Sequence, residues 1–115
     1  MPLSKGERQD VEALLGSYCE GRVPEHVRAE VRLEFRIKGE SVTLVERRPP
    51  LLRRKGEWIE IVVAQFRRNR ETKHWTLYCA DRNSRWHHYQ GVRATKTLKP
   101  LLAEVDRDPT GIFWG

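Results

Sequence analysis

The 115-residue sequence contains only two cysteines, Cys19 and Cys79, and one methionine. Two cysteines cannot build the disulfide framework of a small secreted domain, and we interpret them as reduced thiols in or near the core. No apolar run approaches the roughly 20 residues that a membrane span needs. The N-terminus also lacks the apolar segment of a secretory signal. These absences favour a cytoplasmic protein of bacterial type that does not enter a membrane.

The signature motifs of several enzyme classes are also absent. The sequence has no glycine-rich phosphate loop, no nucleophile elbow, no paired cysteines and no dinucleotide-binding fingerprint. His87 and His88 are adjacent on a predicted strand, so their side chains point to opposite faces and cannot chelate one metal ion together. We therefore predict no metal site, no cofactor and no catalytic residue. A small ribonuclease that uses either histidine with Tyr89 and Arg85 is the weakest of three functional alternatives.

Basic charge is what the chain has in excess. The formal net charge is +6 and the pI is about 9.7. Residues 41–56 and 81–100 each carry five basic residues and one acidic residue, whereas residues 1–21 carry two basic and four acidic ones. Clustered lysine and arginine are typical of proteins that bind polyanions. The alternative is that arginine-rich loops only keep a small sheet protein soluble.

Apolar spacing predicts one helix near each end of the chain. Val11, Leu14, Leu15 and Tyr18 follow the pattern of one helix face, which predicts a helix over residues 5–20. Ser4 and Glu7 have the spacing of a capping box, and Gly21 is the predicted stop. For the second helix, Thr97 is the predicted cap, and Leu98, Leu101, Leu102 and Val105 form the apolar face.

Alternating apolar residues predict five strands between these helices, over residues 30–38, 41–47 and 57–68 and on either side of a turn at 81–84. The strand over 57–68 is apolar on both faces near its middle, so it is either covered on two sides or bulged. We predict a single α+β domain over residues 1–115. Its five-stranded antiparallel meander carries the N-terminal and C-terminal helices on one face.

The stretch from Lys73 to Tyr89 has the densest side-chain chemistry, with two tryptophans, two tyrosines and three histidines. Strand alternation assigns Trp75 to the core and Tyr78 to the opposite face. The leading hypothesis is a non-enzymatic domain that binds DNA or RNA through an arginine-rich sheet face and its turns. The predicted nucleic-acid-binding residues are Arg32, Arg36, Arg67, Arg68, Arg70, Lys73, Tyr78, Arg82 and Arg85.

A protein partner is the main alternative to nucleic acid. The loop from Pro49 to Lys55 combines two leucines with three basic residues. The tail ends in Phe113 and Trp114, which we expect either to pack back onto the fold or to meet a partner. Both segments would serve as contact elements of a protein-interaction or adaptor module.

Several motifs taken together resemble a known family. A W-x-L-Y strand at residues 75–78 precedes a W-x-x-Y strand at 86–89, and LLAEVDRDP at 101–109 leads to the closing G-x-F-W-G at 111–115. Residues 35–49 and the strand from Ile61 to Phe66 extend the likeness to nearly the whole chain. The pattern resembles a small bacterial family catalogued as a domain of unknown function. The resemblance implies a compact intracellular domain and brings no activity or site residue with it.

Overall fold

The computed structural model describes residues 2–24, 26, 30–49 and 58–114. A long N-terminal helix is followed by five strands and a short C-terminal helix. The elements are α1 (Lys5–Arg22), β1 (Arg32–Lys38), β2 (Ser41–Arg48), β3 (Ile59–Arg68), β4 (Trp75–Ala80), β5 (Trp86–His88) and α2 (Lys99–Arg107). No helix in this part of the chain is long and apolar enough to cross a bilayer.

The five strands form one sheet in sequence order, and every neighbouring pair is antiparallel. The predicted α+β meander is therefore confirmed. The β1–β2 and β3–β4 turns lie at one end of the sheet, and the β4–β5 turn lies at the other. The first and third strands begin two residues later than predicted, at Arg32 and Ile59.

One face of the sheet packs against both helices. Strands β1 to β4 place alternate apolar side chains on this face, as predicted from the period of two. Val11 and Leu15 of α1 and Leu101, Leu102 and Val105 of α2 are buried against it. The sheet contributes the buried side chains Val42, Leu44, Ala64, Phe66, Trp75, Leu77 and Cys79.

Helix α1 begins as its sequence predicts and ends later. Glu7 N–H donates to Ser4 Oγ at 3.2 Å, and Ser4 N–H donates to Glu7 Oε1 at 2.9 Å, which completes the capping box. The backbone hydrogen bond from Ser4 holds the pKa of Glu7 below its ordinary value. Gly21 does not stop the helix, which continues to Arg22. A glycine inside a helix costs only about 1 kcal/mol, so the buried face of α1 can offset it.

Helix α2 differs from the prediction at its first residue. Leu98 rather than Thr97 is the N-cap, and no side chain caps the helix. The predicted apolar face is confirmed, because Leu98 itself is buried with the leucines that follow it. Asp108 ends the helix in a left-handed conformation, with φ 43° and ψ 59°.

The C-terminal tail folds back onto α2. The carboxylate of Asp108 accepts hydrogen bonds from the backbone N–H of Phe113 at 3.1 Å and of Trp114 at 2.9 Å. Phe113 is buried with its ring centroid 5.1 Å from that of Tyr89. Trp114 Nε1 donates to the carbonyl of Val105 at 2.9 Å. The first of the two outcomes expected for the tail is therefore the one observed.

A β-bulge in β3 explains its apolar residues on both faces. Leu44 pairs with Ala64 and Val45 pairs with Val62, so Val63 is an extra residue on β3. Because of this extra residue, the β3 residues before Val63 lie on the faces opposite to those that simple alternation from Ala64 would give. Ile61 consequently lies beside Glu46 on the helix-bearing side, where it is 44% exposed.

A buried polar pair joins the end of β5 to α2. Tyr89 Oη donates to Glu104 Oε2 at 2.7 Å, and both residues are buried. Arg107 also contacts the Glu104 carboxylate. Gly91 leaves room for this arrangement, because a Cβ at that position would lie 2.5 Å from Tyr89 Oη. The buried carboxylate therefore has both a neutral and a charged partner.

Candidate nucleic-acid interface

The face of the sheet opposite the helices is called the outer face here. Strand register places five basic and two acidic side chains on it in β1–β3: Arg32, Arg36, Lys38, Arg47 and Arg67, with Glu34 and Glu60. Neither helix packs on this side. The outer face therefore carries an excess of positive charge across these three strands.

A group of polar and aromatic side chains crosses the middle of the outer face and is called the Tyr78 cluster. Arg67 lies over the Tyr78 ring, with its guanidinium carbon 4.0 Å from the ring centroid. His88 meets the same ring edge-on, with centroids 5.7 Å apart. Arg67 Nε donates to Gln65 Oε1 at 2.6 Å, and Gln65 Nε2 donates to Thr43 Oγ1 at 2.9 Å. Arg67 is thus held over the tyrosine ring while remaining exposed.

A second group near β1 neutralises much of its own charge and is called the glutamate cluster. Arg36 forms an ion pair with Glu60, and Arg47 lies 3.0 Å from Glu34 and 3.4 Å from Glu60. The hydrogen bond from Arg36 holds the pKa of Glu60 below its ordinary value and raises that of Arg36. Two of the five outer-face cations are therefore occupied within the protein.

The remaining outer-face cations are more available. The Arg32 guanidinium carbon lies 4.4 Å from the centroid of the Trp58 ring, a cation–π contact that leaves its charge in place. In the part of the chain that the structure describes, Arg32, Lys38 and Arg67 form no ion pair. The same holds for Arg82 and Arg85 of the β4–β5 turn. These five residues form a group of cations without a described ion pair, three on the outer face and two in the β4–β5 turn.

Three predicted residues lie away from this group. Arg68 has the opposite parity to Arg67, so it lies on the helix-bearing side, where it pairs with Glu7 and its side chain is only 10% exposed. Arg70 lies 3.5 Å from Glu40 in the neighbouring turn. Lys73 ends the β3–β4 turn with φ 63° and lines a cavity beside α1. The structure therefore separates Arg68 and Lys73 from the outer face.

The histidines point away from each other, as predicted from their adjacency. His87 Nε2 lies 2.7 Å from Asp81 Oδ2, whereas His88 contacts Tyr78 and Gln90. The hydrogen bond with His87 is the main reason that the pKa of Asp81 is lowered. Tyr89, the third member of the ribonuclease set, is buried against Glu104. The structure does not bring that set together around one position.

Residues 2–24, 26, 30–49 and 58–114 contain no group of three histidine, cysteine or acidic side chains that could hold a metal ion. Both cysteines are free thiols, and burial raises the pKa of each. Neither thiol has the basic, exposed surroundings that activate a cysteine nucleophile. The Tyr78 cluster on the outer face offers stacking, hydrogen bonding and charge.

Sequence reasoning missed two members of the Tyr78 cluster, Thr43 and Gln65, and did not distinguish His88 from His87. Their register could have indicated them, because Thr43, Gln65, Tyr78 and His88 occupy one row across β2–β5. Predicting that row requires the register of three strand pairs, and the bulge in β3 changes the register near its middle. A composition search for basic residues also passes over neutral residues that position an arginine.

Comparison with known families identifies the chain. Residues 3–115 match the family described as Domain of unknown function (DUF3024). The match covers nearly the whole chain, so the protein belongs to this family, and the resemblance noted in the sequence is confirmed. No curated protein and no solved structure matches the sequence.

Proposed function

We propose that this member of the DUF3024 family binds single-stranded nucleic acid through the outer face of its sheet and does not cleave it. The observation that carries the proposal is the Arg67 guanidinium held 4.0 Å above Tyr78 in the middle of that face. Such a stack offers a flat, charged surface to a base and a positive charge to the adjacent phosphate. It is already formed in the protein, so binding costs little ordering of either side chain.

The hydrogen bonds around Arg67 favour this use of the stack. Gln65 Oε1 accepts a hydrogen bond from Arg67 Nε, which orients the guanidinium group, and the Arg67 side chain remains exposed. Arginine planes and aromatic rings are the surfaces on which proteins stack unpaired bases. Because stacking accepts any base, we expect little sequence preference.

The five available cations set the strength of the electrostatic contribution. Each phosphate contact adds about 0.7 to the log–log salt slope for a single strand, so five contacts give a slope of about −3.5. Binding should then weaken about a hundredfold between 50 and 200 mM salt. If nucleic acid contacted only the neutral residues of the outer face, the log–log salt slope would be shallow.

The test is fluorescence anisotropy with a labelled 15-nucleotide oligo-uridine, an oligo-thymidine of the same length and a DNA duplex. We expect both single strands to bind, with the predicted salt slope, and the oligo-uridine to remain intact on a denaturing gel. If neither single strand binds at 50 mM salt, the proposal is refuted. Cleavage of the RNA by the wild type that is lost in the His87→Ala or the His88→Ala protein would also contradict it.

Replacement of Tyr78 separates stacking from charge. Tyr78→Ala removes the ring under Arg67 and should weaken single-strand binding by about 1–3 kcal/mol with the salt slope unchanged. Tyr78→Phe keeps the ring and should bind like the wild type. Equal affinities for the alanine and phenylalanine variants would place the bound bases elsewhere.

The structure offers less support for a protein-interaction module. The Phe113–Trp114 tail is engaged with α2 and Tyr89, and Arg22 lies over the Trp114 ring at 4.7 Å. Residues 50–57, which contain most of the other predicted contact segment, lie outside the described residues. Phe113 could contact a partner only after leaving its buried position, whereas Trp114 is half-buried.

A further inference from the structure

A cavity of about 680 Å³ lies on the helix-bearing side of the sheet, away from the outer face. Its walls come from the first half of α1, from the β3–β4 turn and from the segment that precedes α2. This volume is within the range of cavities that hold small organic ligands. The outer-face hypothesis makes no use of it, so its role is a separate question.

The walls of the cavity are fixed by hydrogen bonds rather than by loose loops. Trp75 and Thr95 exchange backbone hydrogen bonds of 2.6 and 2.9 Å, which tie the segment before α2 to β4. In the β3–β4 turn, Asn69 accepts from Glu71 and Thr72 through its side chain and from Lys73 through its backbone carbonyl. The cavity is therefore formed in the protein without a ligand.

The floor of the cavity is apolar. Val11, Trp75 and Leu98 belong to the hydrophobic core and are each no more than 6% exposed, and Leu14 is partly buried against the same core. Apolar atoms at the bottom of a cavity favour an apolar body, because contact with them removes that body from water.

The rim of the cavity carries an excess of positive charge. Lys73, Lys96 and Lys99 line it and are all exposed, and Asp10 is the exposed acid among the lining residues. The other two charged lining residues, Arg68 and Glu7, pair with each other. Outside the Arg68–Glu7 pair, the rim therefore carries three positive charges and one negative charge.

We propose that this cavity binds a small organic anion, with an apolar body against the floor and an acidic group at the lysine rim. Charge complementarity selects an anion over a neutral or cationic ligand, and the apolar floor selects an amphipathic molecule over inorganic phosphate. The assignment stands independently of the nucleic-acid hypothesis because the two surfaces are on opposite sides of the sheet.

The test uses 1-anilinonaphthalene-8-sulfonate, whose fluorescence rises in an apolar site, and its uncharged relative N-phenyl-1-naphthylamine. In the wild type we expect one equivalent of the sulfonate to bind. Lys99→Glu should weaken the sulfonate about tenfold and leave the neutral dye unchanged. This variant should fold well, because an acid is favourable in the first turn of α2. Lys38→Glu, the same charge change on the outer face, should bind both dyes like the wild type.

A second variant tests the location of the apolar body. Leu14→Trp places a larger side chain in the cavity, which reduces the space for a ligand, and should weaken both dyes. Decanoate and 1-naphthoate, added as competitors, distinguish a flexible acyl body from a flat aromatic one, and displacement by either supports the assignment. The proposal is overturned if the sulfonate fails to bind the wild type or binds Lys99→Glu equally well. It is also overturned if Leu14→Trp weakens neither dye or neither competitor displaces the sulfonate.

Discussion

Replacing Tyr89 by phenylalanine isolates one hydrogen bond in the contact between β5 and α2. The Tyr89 hydroxyl donates to the Glu104 carboxylate at 2.7 Å, and neither residue is more than 7% exposed. The change removes one oxygen atom and leaves the ring that packs against Phe113. After it, the carboxylate keeps its contact with Arg107 but loses its neutral partner.

The expected cost follows from the burial of the acceptor. A hydrogen bond to a charged group contributes about 1.5–3 kcal/mol, and water cannot readily replace the lost donor at a buried carboxylate. We therefore expect the free energy of unfolding to fall by about 2 kcal/mol. With a urea m-value of about 1.5 kcal/mol/M, the unfolding midpoint would move down by about 1.3 M.

The stability difference between wild type and Tyr89→Phe should depend on pH at both extremes. The hydrogen bond from Tyr89 is the main reason that the pKa of Glu104 is lowered below its ordinary value of 4.5. The contribution of this hydrogen bond to the free energy of unfolding is present above pH 4.5 and is lost as Glu104 becomes protonated below pH 4.5. The same bond raises the pKa of Tyr89 from 10.0 to about 12. Wild-type stability should therefore fall toward that of Tyr89→Phe as the pH rises from 10 to 12, because Tyr89 loses its proton in this range.

The matched control is Tyr18→Phe. Tyr18 Oη donates to Asp106 Oδ1 at 3.0 Å, also on α2, but the Asp106 side chain is 52% exposed. Water replaces the lost partner there, so we expect a loss of about 0.5 kcal/mol. Equal urea midpoints for the two variants, or a Tyr89→Phe difference that stays constant from pH 3 to 9, would refute the reasoning.

The remaining predictions concern glycines and thiols. Gly91→Ala should lower the free energy of unfolding by about 1–3 kcal/mol, because its Cβ would overlap the Tyr89 ring. Gly16→Ala, with nothing within 4 Å of the added atom, should instead raise it by about 0.5–1 kcal/mol, and urea denaturation of both gives the signs. Burial raises the pKa of Cys19 to about 11 and also raises that of Cys79. Cys19 should react with a disulfide reagent at pH 8 on the order of a hundredfold more slowly than in urea, and Cys79 should also react more slowly than in urea. Comparable rates in the folded protein and in urea would contradict this.

The sequence was sufficient to predict the strands, the helices and the side on which most residues lie. Alternation alone predicted that Trp75 is buried and that Tyr78 lies opposite it, and both positions are as predicted. The capping box at Ser4 was equally local and equally predictable. These features depend on residues close together in the chain, so their patterns can be read without the tertiary structure.

Features that depend on distant residues could not be predicted in the same way. Thr97 has good capping chemistry, yet Leu98 takes the cap position because its burial in the core fixes where α2 starts. Strand parity puts Arg68 on the side opposite Arg67, but its ion pair with Glu7 depends on where α1 packs and could not be predicted. Tyr89 looked like a catalytic partner of the histidines, and only the packing of α2 reveals its bond to Glu104.

The most direct measurement of the central claim is the salt dependence of single-strand binding in two charge-matched variants. Arg67→Gln removes the stacked cation of the outer face, and Arg8→Gln removes an exposed cation of α1 that pairs with Glu12. We predict a log–log slope shallower by about 0.7 for Arg67→Gln and a wild-type slope for Arg8→Gln. Identical slopes for the two variants, or no binding by the wild type at low salt, would contradict the assignment of the outer face.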